Sequence, residues 1–78
     1  MGSDFLTNNV RRFRFDNGQM TQQQLADKAG VTRQTIIAVE SAKYTPSLLL
    51  AFRISRAFGL SVEEVFQYES DDSESGSV

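Results

Sequence analysis

Residues 29–40 read AGVTRQTIIAVE. Gly30 separates two apolar segments, Thr32 follows it closely, and Arg33 and Gln34 then stand side by side. Ile36 and Val39 are three apart, which puts them on one stripe of a helix. With that stripe buried, Arg33, Gln34, Ile37 and Ser41 face outward, with Ala38 alongside. The segment before this one is also helical. Thr21-x-x-Gln24 is a capping box, in which the hydroxyl accepts from a free backbone N–H and the amide reaches back. Two short helices crossing through a tight turn need a small residue at the crossing and a left-handed residue in the turn. Ala26 and Gly30 supply them, and Val31 fills the gap beneath.

Working outward, helical periodicity dominates and no run alternates with period two for long. Five short helices are expected, giving an all-α fold. The first spans Asn8 to Asn17, with Val10, Phe13 and Phe15 as apolar members, and Gly18 ends it. The second is capped by Thr21 and runs to Ala29. The third is capped by Thr32 and runs from Arg33 to about Ser41. A loop, AKYT, leads to the fourth, capped by Thr45 with Pro46 in its first position, running to Phe58 and stopped by Gly59. Ser61-x-x-Glu64 is another capping box and opens the fifth, which ends near Gln67.

The 78 residues contain no Cys and no His. A disulfide framework and a thiolate metal site are therefore excluded, as are a Cys nucleophile and a Ser–His pair. Paired carboxylates have no cleft to work in, so an enzyme is not expected. No cofactor or metal is implied. The longest apolar run, Leu48 to Phe52, is far short of the ~20 residues a membrane span requires, and no signal peptide is visible. The reading is a cytoplasmic protein. The net charge of −2 divides unevenly. Residues 69–78, ESDDSESGSV, carry only acids, whereas residues 1–68 hold eight bases against six acids. The expected division is an N-terminal extension at 1–7, its first three residues having the look of a cloning remnant. A folded domain follows at 8–68, and an acidic disordered tail at 69–78.

Arg and Gln at the start of the third helix suit base recognition. Arg pairs bidentately with guanine in the major groove and Gln with adenine. The stretch TQQQLADKAGVTRQTIIAVESAKYTPSLLLAFRISRAFGLSVEEVF resembles the phage repressor and Cro type of helix-turn-helix regulator, closest to its short single-domain members. The resemblance covers about Asn8 to Phe66. It implies a five-helix, lambda-repressor-like DNA-binding domain with the helix-turn-helix at the second and third helices.

By position, the resemblance implies that Arg33, Gln34, Ile37 and Ala38 meet base edges, the last two through thymine methyls. Thr21, Gln22, Thr32, Ser41, Lys43 and the backbone near Tyr44 would contact phosphate. Arg14 and Glu40 would form a structural ion pair. Ala42 departs from the family, which has glycine there. It either takes a left-handed conformation at a cost of about 1 kcal/mol or lengthens the third helix. Leu49 falls where relatives are polar.

Val62 and Val65 should close the core. Phe66 and Tyr68, at the end of a small domain, are expected as a dimer patch, since aromatics are enriched at interfaces. The function implied is a repressor that binds double-stranded DNA as a homodimer, without a small-molecule effector. Two alternatives share the scaffold: the antitoxin of a toxin–antitoxin pair, and a protein-interaction module.

Overall fold

The computed structural model describes residues 4–70. The order of elements is β1 (Asp4–Asn8), α1 (Val10–Asp16), α2 (Gln22–Ala29), α3 (Arg33–Glu40), α4 (Leu48–Ala57), α5 (Val62–Val65) and β2 (Phe66–Ser70). Among the described residues, no helix is long and apolar enough to cross a membrane.

All five expected helices are present, and their local chemistry explains most of their ends. Thr21 makes a complete capping box with Gln24, and Ser61 makes another with Glu64. The Thr32 hydroxyl accepts from the Thr35 amide. Gly30 ends α2 in the left-handed conformation at φ 74°. The fourth helix starts differently from expectation. Ser47, not Thr45, is its cap, with the Ser47 hydroxyl accepting from the Leu50 amide at 3.1 Å. Pro46 therefore precedes the cap and does not occupy the first helical position.

The fold is not purely all-α. β1 and β2 pair antiparallel in register, from Asp4 opposite Ser70 to Asn8 opposite Phe66. This sheet joins the two ends of the described chain. It stops α5 at Val65, because Phe66 is already extended at φ −118° and ψ 134°. Asp4–Thr7 from the expected extension, with Glu69 and Ser70 from the start of the expected tail, are strand residues. The remainder of both expected segments, residues 1–3 and 71–78, lies outside the described residues.

The core draws on every helix. Val10, Leu25, Ala26, Ile36, Ile54 and Val65 are fully enclosed, with Val39 close to it. Ala26 is buried as a residue at the crossing must be, Ile36 and Val39 are buried as their spacing required, and α2 packs against both α3 and α4. In α1 the inward side is Val10 and Arg14, while Phe15 faces out. Ser55 is enclosed too, its hydroxyl donating to the Ala51 carbonyl one turn back.

Candidate nucleic-acid interface

Arg33 and Gln34 are both exposed on the first turn of α3, directly behind the Thr32 cap. Ile36 and Val39 are buried beneath them, so the helix is anchored from the opposite side. Ile37 and Ala38 are half-buried and present less surface than the first turn does. The hydrogen-bond capacity thus concentrates at the amino end of α3.

The amino end of α2 lies beside it. Arg33 lines a shallow cavity of about 410 Å³ with Thr21, Gln22 and Gln23. The first backbone N–H groups of a helix lack internal acceptors and carry the positive end of its dipole, which suits an anion. In the capping box the Thr21 hydroxyl accepts from Gln24, and its own proton remains available to a ligand. Thr32 and Thr35 share a hydroxyl contact at 3.1 Å on the neighbouring helix.

Ser41, Lys43 and Tyr44 are exposed past the carboxyl end of α3. Of the two conformations open to Ala42, the structure has the left-handed one, at φ 60°. The helix therefore ends at Glu40 and is not lengthened. The Ala42 amide donates to the Val39 carbonyl at 3.0 Å and the Lys43 amide to the Ala38 carbonyl at 3.1 Å. This pair of bonds is the motif that usually carries glycine at the left-handed position. The Ser41 hydroxyl donates to the Ala38 carbonyl at 3.1 Å.

Arg14 and Glu40 do pair, and both side chains are about nine-tenths buried. Nε and Nη2 of Arg14 donate to the two carboxylate oxygens, and Nη1 donates to the Met20 carbonyl at 2.8 Å. Gln22 is the unexpected member of this network. Its side-chain amide donates to Oε1 of Glu40 at 3.2 Å. The sequence carries no signal for that bond, because the two residues meet only once α2 and α3 cross. Phe15 and Gln19 also line the cavity beside Arg33 and were not anticipated. The Arg14 guanidinium lies over the Phe15 ring at 5.8 Å, and Gln19 is left-handed at φ 58° after Gly18.

The expected dimer patch divides. Phe66 is only 7% exposed and is part of the chain's own core, whereas Tyr68 is 67% exposed. In β2 they point to the same face, one at the floor and one at the rim of an apolar groove of about 590 Å³. Leu6, Pro46 and Leu48 line its other sides, and Leu48 is 70% exposed. The Tyr68 hydroxyl is held above the usual tyrosine range, first by its hydrogen bond with Asp4, then by desolvation and the Asp4 charge.

Known proteins share the helix-turn-helix fold of this chain. A family model described as helix-turn-helix matches residues 15–65. A relative from Methanocaldococcus jannaschii, named an uncharacterized HTH-type transcriptional regulator, is 57% identical over 53 residues, covering 68% of this chain and 80% of its own. A Bacillus subtilis relative of the same description, YgzD, is 42% identical over 67 residues, covering 86% of this chain and 100% of its own. The crystal structure of a candidate DNA-binding protein from Bacteroides fragilis superposes with a TM-score of 0.71 at 21% identity. It covers 81% of this chain and 100% of its own, a likeness of fold.

Proposed function

The chain belongs to the helix-turn-helix family, and from that premise we propose that it is a transcriptional regulator that binds double-stranded DNA with α3 in the major groove. The observation that carries this reading is the exposure of Arg33 and Gln34 together on the capped first turn of a helix pinned by Ile36 and Val39. Both side chains make bidentate contacts with base edges, and the amino end of a recognition helix is where docking brings them close. Ile37 and Ala38 add apolar contact with thymine methyls. Thr21, Gln22, Thr32, Ser41, Lys43 and the backbone near Tyr44 hold the phosphates on either side.

The protein acts as a homodimer, which sets two recognition helices about 34 Å apart, one turn of DNA. The groove around Tyr68, Leu6 and Leu48 supports pairing there, since an exposed contiguous apolar surface commonly marks an interface. The mechanism is steric repression, with the bound dimer blocking polymerase. Selection from a random duplex library, followed by fluorescence anisotropy on the winning site, tests the reading. The expected result is a preference of about 10³ or more over a scrambled duplex, lost in Arg33→Ala and Gln34→Ala. Equal, weak and salt-sensitive binding to both duplexes would reduce the interaction to phosphate attraction.

A further inference from the structure

Glu40 is the last residue of α3, yet its carboxylate reaches the first residue of α2. Oε1 accepts from Nη2 of Arg14 at 3.1 Å and from Nε2 of Gln22 at 3.2 Å, while Oε2 accepts from Nε of Arg14. A glutamine amide has two N–H donors and one carbonyl acceptor. For Gln22, only one N–H is engaged within the described chain. The residue lines the same cavity as Thr21, Gln23 and Arg33. Its remaining donor is thus fixed beside the free backbone amides at the start of α2.

We infer that Glu40 is a positioning residue for DNA: through its bond to Gln22 it holds a side-chain N–H ready for a backbone phosphate. This rests on the reading of the chain as a DNA-binding protein. Glutamine is among the side chains that lose most rotamer freedom when fixed. Holding it before the duplex arrives removes that loss from the binding step. Arg14 makes the arrangement compatible with a polyanion. A lone carboxylate behind Gln22 would repel phosphate, whereas the paired carboxylate orients the amide without adding net negative charge. The contact is to phosphate, so the effect is independent of base sequence.

A double-mutant cycle on duplex affinity tests this, using the full chain well below the melting temperature of the least stable variant. Glu40→Leu, which leaves no acceptor for the Gln22 amide, should weaken binding about tenfold, on the selected site and a scrambled duplex alike, and less than about twofold in a Gln22→Ala background. The same loss in both backgrounds would mean that Glu40 acts through general stability, and would overturn the inference. Gln22→Met preserves the Arg14–Glu40 pair and removes only the amide. It too should lose about tenfold, and full affinity in this variant would sink the proposal. The bond itself is read without DNA. The side-chain amide resonances of Gln22 should move in Glu40→Leu, and unmoved resonances would show that no such bond exists. A wild-type protein that selects nothing from the library removes the DNA reading and the positioning role with it. Shifted Gln22 resonances would then mark the bond as structural only.

Discussion

Arg14 and Glu40, 26 residues apart in the chain, meet through two hydrogen bonds that tie the first helix to the end of the third. Both are enclosed, so removing either strands a charge away from water. Breaking a buried pair from one side costs on the order of 3–5 kcal/mol. Glu40→Ala should therefore lower the melting temperature by on the order of 12 °C or more for a domain of this size. Calorimetry checks it, and an unchanged midpoint would remove the pair from the account of stability.

Ala42 gives the opposite expectation. A residue with a Cβ in the left-handed region costs about 1–2 kcal/mol, and glycine relieves this at an entropic cost of about 0.5–1 kcal/mol. Ala42→Gly should thus stabilise the protein by roughly 0.5–1 kcal/mol, leaving the Val39 and Ala38 bonds as they are. Denaturant titration with an unchanged slope and a later midpoint is the expected record. An earlier midpoint would argue against the left-handed turn.

Arg33 and Lys43 should fail in different ways. Arg33→Ala removes the proposed base-reading fork and should cost about 1–3 kcal/mol at one base position, flattening the preference there. Lys43→Ala removes a proposed phosphate contact. It should weaken all duplexes alike and reduce the slope of log affinity against log salt by about 0.9. Anisotropy across a salt series separates the two, and equal behaviour would discard the division between base and phosphate contacts.

Tyr68 reports on the sheet through its proton. Its hydroxyl is raised above 10.0, chiefly by the hydrogen bond with Asp4, so the folded chain holds that proton more tightly than the unfolded chain. The corresponding stability is present below the ordinary tyrosine value and is lost as pH rises through the higher folded value. Asp4→Asn should return the titration toward the ordinary range, visible by ultraviolet difference absorbance. An identical titration curve would dissolve the contact.

Leu48 tests the pairing surface without touching the core, being 70% exposed. Leu48→Glu should give a monomer by sedimentation velocity at concentrations where the proposed wild-type dimer forms, with the helical circular dichroism unchanged. A dimer that persists would move the interface elsewhere.

Local chemistry was legible where a few neighbouring residues decide it. Thr21 with Gln24, Ser61 with Glu64, and Gly30 after Ala29 each announce a helix end within four positions. Ile36 and Val39 announce a buried stripe by spacing alone. The sheet was not legible for the same reason. Each strand has five residues, and FQYES alternates too briefly to stand out from the end of a helix. A two-stranded pair is marginal by itself, so its stability comes from partners that lie at the other end of the chain. Proline after threonine is so strong a helix-start signal that Thr45-Pro46 masks the Ser47 cap. The bond between Gln22 and Glu40 was not legible, because the two become neighbours only after α2 and α3 cross.

Asp4 and Ser70 face each other across the sheet, so the described chain closes on itself into a ring that lacks one covalent link. A short peptide joining those ends would complete it. New ends could then be opened in the exposed stretch Ser41–Thr45, far along the sequence from the old ones, because such surface positions tolerate permutation. A permutant of that kind would keep all seven described elements while changing which of them the ribosome delivers first.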